Sequence, residues 1–301
     1  MRTAIIDIGT NTLLLLIVER DAAGVPRPIV DLCRFGRLGQ GLDASGRLAD
    51  AAIERSLGIC REYAAVMAAH RVDRRAVIGT QALREAANAR AFTGPAEALL
   101  GAPIEIIAGP REAELAFGAV AATFPELRGT PYVVCDVGGG STELIATDGT
   151  RVTSEVSVPI GAVRLAERHL KSDPPAAGEL RALSDDIDAR LAPLELPTGA
   201  LVVATAGTAT TLAAIELGLA TYDPDKVTGL RLEAPAVQAL FDRLVAMTTA
   251  TRRALPGMVP ERADVLPAGA AILARVLARI GAPAMIVCDR GIRWGLAHER
   301  S

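Results

Sequence analysis

The sequence predicts an α/β protein made of two similar lobes with a cleft between them. Three observations carry that prediction. Short apolar runs alternate with longer segments of helical periodicity, the pattern of sheets covered by helices. The run I-I-D-I-G-T-N-T-L-L-L-L-I near the N-terminus returns as V-C-D-V-G-G-G-S-T-E-L-I-A, with Asp7 and Asp136 matched at a separation of 129 residues. Half of the 301 residues are hydrophobic yet only 3% are aromatic, so both cores must be built from Ala, Val, Leu and Ile.

Taken in order, residues 3–8 and 12–19 read as strands joined by the turn Gly9-Thr10-Asn11, and residues 28–34 extend the meander. Residues 48–70 read as a helix, because Ile53, Leu57, Cys60, Ala64 and Met67 recur at three- and four-residue steps. Residues 76–80 and 104–108 are short buried strands, followed by helices over about 82–100 and 111–124. The polar, Gly- and Pro-containing stretch 125–131 ends the first lobe, which sets lobes of 1–124 and 125–301. The second lobe restarts with strands at 131–135, 143–147 and 152–158, then a helix opened by Pro174-Pro175 and running to about 194. A strand at 201–205 runs through Ala206-Gly207-Thr208 into a helix over 209–218. Helices at 235–247 and 267–280 and a strand at 284–288 follow.

Charge and composition exclude several function classes. The formal net charge of −3 is not that of a nucleic-acid binder. The longest apolar run, residues 13–18, is too short to span a bilayer, and the N-terminus is no signal peptide, so neither a membrane nor a secreted setting is expected. Cys33, Cys60, Cys135 and Cys288 lie far apart with no C-x-x-C pair, which argues against zinc and disulfides and for a reduced, cytoplasmic protein. Lys171 and Lys226 are the only lysines, so an anion here meets Arg forks, backbone amides or a metal.

The Gly-led turns carry the chemistry. Gly138, Gly139 and Gly140 offer backbone N–H groups with no Cβ in the way, and Ser141 and Thr142 add hydroxyls. Thr10 and Asn11 sit in the matching first turn, and Gly207 and Thr208 open a helix, where free N–H groups and the helix dipole also favour an anion. Three such loops, two of them related by repeat, predict a phosphate site. A carboxylate beside a phosphate cradle is unfavourable unless a cation intervenes, so Asp136 and Glu143 are candidate Mg²⁺ ligands; Asp7 is either a third ligand or a turn cap. Glu112 either answers the dipole of its helix or does chemistry, and Arg84 either forks onto phosphate or pairs with a neighbouring carboxylate.

These motifs, with L-G-Q-G-L-D-A-S-G-R-L (38–48), G-T-Q-A-L-R-E-A-A-N (79–88), G-T-A-T-T-L-A (207–213), R-A-D-V-L-P-A-G (262–269) and D-R-G-I-R-W-G-L (289–296), resemble the exopolyphosphatase/guanosine pentaphosphate phosphohydrolase (Ppx/GppA) family along the whole chain. The chain is similar to the family's short form, without a C-terminal HD-like region. The resemblance implies two ribonuclease-H-like lobes of the acetate kinase/actin-like superfamily around an interlobe cleft. It also implies release of terminal orthophosphate from inorganic polyphosphate with Mg²⁺, for which Mn²⁺ can substitute. By the resemblance Glu112 is the catalytic base, Asp136 and Glu143 lie at the metal, and Thr10, Asn11, Arg84, residues 138–142 and residues 207–208 bind phosphate. Guanosine pentaphosphate is the alternative substrate; an actin-like ATPase or a non-catalytic sensor of polyphosphate or alarmone are further readings. The resemblance allows a homodimer. Trp294 departs from it, standing where the family usually has Glu, which puts any role of that Glu in question.

Overall fold

The computed structural model of the chain describes residues 1–299. They form two compact units: Met1–Ala119 together with the C-terminal helix Ile292–Glu299, and Val120–Gly291. The first unit holds a five-stranded sheet. Strands β1 (Arg2–Ile8), β2 (Leu13–Arg20) and β3 (Pro26–Arg34) form an antiparallel meander, and β4 (Arg74–Gly79) and β5 (Ile104–Ile106) run parallel to β1, giving the order β3-β2-β1-β4-β5. β1 is central and buried from Ala4 to Ile8, as a strand covered on both faces must be. Pro26 and Pro28 sit on the edge strand, where a missing N–H costs no ladder bond. The helix Asp50–Ala69 buries Ile53, Cys60, Tyr63 and Met67 beneath this sheet, and the Tyr63 hydroxyl donates to the Leu13 carbonyl at 2.7 Å.

The second unit repeats the plan. Strands β6 (Tyr132–Val137), β7 (Thr142–Thr147) and β8 (Val152–Val158) form the meander. β9 (Leu201–Thr205) pairs parallel with β6, β11 (Ala284–Val287) pairs parallel with β9, and β10 (Arg231–Glu233) closes the edge antiparallel. The order β10-β11-β9-β6-β7-β8 is the first sheet's order with one strand added at the edge. Each unit therefore has a ribonuclease-H-like strand order, an antiparallel meander extended on one side by parallel strands. The helix Leu266–Ile280 is the pillar of the second core. Its Ala- and Gly-rich faces are buried against the helices Ala162–His169, Ala177–Leu191 and Ala234–Val245. Small residues let these backbones approach closely, which is how a chain so poor in aromatics fills its interior.

Three features differ from the sequence reading. The helix expected over 82–100 is two helices, Gln81–Glu85 and Arg90–Leu100. Between them the Asn88 carboxamide pairs with the backbone of Leu48, accepting at 2.7 Å and donating at 3.0 Å, while Ala87 N–H donates to Gly46; these long-range bonds pull the segment out of the helix. The eight-residue helix Ala162–His169 and the three-residue edge strand β10 were too short to be read. The lobe limits 1–124 and 125–301 also need correcting. The division falls within the helix Gly109–Thr123, and the C-terminal helix belongs to the first unit. There Trp294, Leu296 and Ala297 join Ile5, Leu16, Ile78, Leu115 and Ala119 in one apolar cluster, and Arg293 and Glu299 pair with Asp31 and Arg111. Trp294 is thus a packing residue. Gly295 lies so near the Gly109–Thr123 helix that an added Cβ would stand 2.0 Å from the Leu115 carbonyl oxygen. Gly295→Ala is expected to destabilise the protein by about 1–3 kcal/mol through overpacking, read as a lowered urea midpoint. An unchanged midpoint would mean that the two helices separate freely.

Candidate phosphate-binding and catalytic site

In the first unit the site is built at the carboxyl ends of β1 and β4. Asp7 lies one residue from the end of β1, in register with Ile78 of β4, and is buried. The turn that follows is closed by Gly9 N–H donating to the Thr12 carbonyl at 2.9 Å. The segment 37–39 latches onto it: Arg37 N–H donates to the Asn11 carbonyl at 2.9 Å, and Gly39 N–H to the Thr10 carbonyl at 2.8 Å. Gly39 is needed there, because a Cβ would stand 2.3 Å from Thr10 Cγ2. Thr10 and Asn11 are both buried, and the Thr10 hydroxyl donates to Gln81 Oε1 at 2.9 Å.

Arg84 stands one turn beyond Gln81. Its guanidinium donates to the Ile107 carbonyl at 2.7 Å and to Glu112. Glu112 sits in the first turn of the helix Gly109–Thr123 and is only 8% exposed. Arg84 is thus paired with the Glu112 carboxylate.

In the second unit Asp136 of β6 stands directly opposite Glu143 of β7 and beside Thr205 of β9. Burial pushes the Asp136 carboxyl above its usual range, and the neighbouring Thr205 hydroxyl offsets part of that rise. Glu143 is held by two hydroxyls, Ser141 and Ser157, each donating to Oε1 at 2.8 Å. The glycine turn between the strands is fixed by its carbonyls. Those of Gly138 and Gly139 accept from the N–H groups of Ala162, Val163 and Arg164, and that of Gly140 accepts from Arg164 Nε at 2.8 Å. Among the described residues the N–H groups of Gly139 and Gly140 donate to no protein acceptor, so the turn presents donors on one side only.

Gly161 permits this docking, since its Cβ would lie 2.5 Å from the backbone of Gly139 and Gly140. Gly161→Ala should therefore displace the turn and raise the KM for a phosphate substrate roughly tenfold or more, with the melting temperature recorded alongside. An unmoved KM would show that the turn does not hold substrate.

Thr142 must be corrected. Its hydroxyl was expected to meet phosphate, but Thr142 is the first residue of β7, fully buried, and donates to the Ile160 carbonyl at 2.7 Å. Strand pairing commits it to the interior. The third loop follows β9. Ala206 adopts a left-handed conformation (φ 64°), a costly one for a residue with a Cβ, and so turns the chain sharply into the helix Ala206–Glu216. Gly207 and Thr208 are in its first turn, where N–H groups have no intrahelical partner. The Arg262 guanidinium lies on Gly207 where a Cβ would otherwise be, 1.8 Å from Nη1. Neither Arg262 nor Gln81 was singled out from the sequence; their placement depends on contacts between segments far apart in the chain.

Among the described residues no group of three or more His, Cys, Asp or Glu could hold a metal ion. The pair Asp136 and Glu143 still suits Mg²⁺, which is commonly bound by one or two carboxylates and completed by phosphate and water. The desolvated Asp136 carboxylate is also a group whose ionised form a cation would stabilise. All cysteines except Cys33 are buried, and burial pushes the Cys288 thiol up to about 11. No helix among the described residues is long and apolar enough to cross a membrane.

Known proteins resemble this chain along nearly its whole length. The model of the Ppx/GppA phosphatase family matches residues 16–300. Exopolyphosphatase 2 of Mycobacterium tuberculosis is 37% identical, with 98% of this chain and 97% of that protein covered. The crystal structure of an exopolyphosphatase-like protein superposes with a TM-score of 0.94 at 34% identity, covering 100% of this chain and 97% of the other. The Aquifex aeolicus family member gives 0.82 at 32% identity over 100% and 97% of the two chains. With the Asp-led glycine turn, the buried Glu112 paired to Arg84 and the repeated sheet order in place, the chain belongs to the Ppx/GppA phosphatase family.

Proposed function

We propose that the protein is an exopolyphosphatase, releasing orthophosphate from the end of inorganic polyphosphate in a Mg²⁺-dependent reaction. The observation that carries this reading is Glu112, a buried carboxylate of the first unit held by Arg84, from the short helix whose Gln81 meets Thr10 of the phosphate-type turn. Such a group can orient a water and accept its proton as the water oxygen attacks the terminal phosphorus. The bond from that phosphorus to the bridging oxygen breaks, and the shortened chain leaves with the bridging oxygen. In the second unit the N–H groups of Gly139 and Gly140 and those that open the helix at Gly207 and Thr208 suit phosphate oxygens. Asp136 and Glu143 would hold Mg²⁺, which when bound neutralises charge on the phosphates. Arg84 fixes the Glu112 carboxylate and offers a cation to the substrate.

The test is phosphate release from long-chain polyphosphate, with and without Mg²⁺, beside guanosine pentaphosphate and ATP. Metal-dependent release from polyphosphate supports the reading. Release from guanosine pentaphosphate alone replaces it with alarmone turnover, and release from none of the three removes it.

A further inference from the structure

Gln81 has a place in the first unit that the motif around it does not explain. Its side chain is 5% exposed, and its amide oxygen accepts the Thr10 hydroxyl at 2.9 Å. The amide nitrogen is buried as well, and Nε2 meets no acceptor among the described residues. In the adjoining turn Asn11 Oδ1 is likewise buried and unpartnered. Buried polar atoms are nearly always hydrogen-bonded, and leaving one unsatisfied is costly. Here a donor and an acceptor stand unspent at one place, the carboxyl ends of the neighbouring parallel strands β1 and β4, where ligands of α/β sheets characteristically bind. The loops face one another there, since a Cβ on Gly9 would reach the Thr80 hydroxyl at 4.0 Å. A donor suits a phosphate oxygen, and an acceptor suits a water O–H.

We infer that the Gln81 carboxamide is a phosphate-binding group, with Nε2 donating to a non-bridging oxygen of the phosphoryl group beside Thr10 and Asn11. Thr10 turns the amide so that its donor end is left for the ligand. Arg84, three residues on, is engaged with Glu112 and the Ile107 carbonyl, and Gln81 adds a neutral donor on the same short helix. The inference rests on the reading that the site takes a phosphoanhydride.

Gln81→Glu separates binding from positioning. It keeps an oxygen for the Thr10 hydroxyl, removes the donor and sets a negative charge against the anion. Gln81→Met loses both bonds at similar length. The experiment is calorimetric titration of the full chain and both variants with inorganic phosphate and tripolyphosphate, with kcat and KM on polyphosphate and melting temperatures recorded in parallel. The expected result is about 10- to 100-fold weaker anion binding and a raised KM for Gln81→Glu, the size of one lost hydrogen bond to a charged group. Gln81→Met should lose less than Gln81→Glu, and should lose it even where the Glu variant does not fold. Phosphate binding by Gln81→Glu within twofold of wild type, or a greater loss in Gln81→Met than in Gln81→Glu, would mean that the amide only holds Thr10 and would overturn the inference. So would a wild-type protein that binds neither anion. Wild-type protein that binds these anions in a Gln81-dependent way without hydrolysing polyphosphate would remove the exopolyphosphatase reading and leave this one standing.

Discussion

Glu112→Gln is expected to lower kcat on polyphosphate by roughly 10²–10⁴-fold, the usual worth of a positioned general base, with little change in KM. The amide is isosteric and its oxygen can still accept from Arg84, so the carboxylate's place is kept while its ability to take a proton is lost. The ion pair is half-shielded rather than sealed, with side-chain exposures of 22% for Arg84 and 10% for Glu112. Arg84 also keeps its bond to the Ile107 carbonyl, so the variant should fold, with circular dichroism unchanged and a modestly lower melting temperature. Steady-state kinetics on purified variants decide the matter. Turnover within tenfold of wild type would falsify the assignment of Glu112 as base.

Asp136→Asn should separate stability from function, with opposite signs. Burial raises the Asp136 pKa, so in the metal-free protein its ionised form opposes folding. The sign follows from proton counting. A carboxyl whose folded pKa lies above its unfolded value binds protons more readily when folded. Its penalty is therefore absent at pH values below both pKa values and grows as pH rises through the folded one. The amide carries no such penalty. Metal-free Asp136→Asn should thus melt higher than wild type at neutral pH, by about 2–4 °C for each kcal/mol removed, and the gap should close on acidification. Added Mg²⁺ should stabilise wild type and leave the variant unmoved, and Mg²⁺-dependent phosphate release should be lost. Thermal melts with Mg²⁺ and with EDTA measure both. A variant that melts lower than wild type in EDTA, or that still gains stability from Mg²⁺, would refute the assignment.

The repeat was legible because it is local. Each copy holds an apolar strand, an Asp, a Gly-led turn and a second strand within a dozen or so residues, and the meanders β1–β2–β3 and β6–β7–β8 appear where the pattern places them. The parallel pairings of β1 with β4 and of β6 with β9 join segments far apart in sequence, so no spacing announces them. The same distinction runs through the site. Asp136 and Glu143 could be coupled from the sequence because a tight hairpin sets them face to face. Arg84 and Glu112 could not, since they are 28 residues apart with a helix and a strand between them, and each alone admitted two readings. Thr142 misled because the end of a turn and the first residue of a strand look alike in sequence, whereas only the fold shows that its hydroxyl is turned to Ile160. Gln81 was overlooked because its meaning lies in a contact with Thr10, 71 residues away.

The return of the helix Ile292–Glu299 to the first unit has a bearing on synthesis. The ribosome makes the strands and helices of the first unit first, but Trp294, Leu296 and Ala297, which cover Ile5, Leu16 and Ile78, are made only after the whole second unit. Until they emerge, the nascent chain carries an uncovered apolar patch behind the very helix that bears Glu112, while the second unit already has all of its strands. The second unit is thus the one able to mature on its own during translation, and the first depends on a helix that follows it in the chain. A stalled or clipped product would present a well-formed second unit joined to a sticky, incomplete first one, the kind of species that chaperones retain.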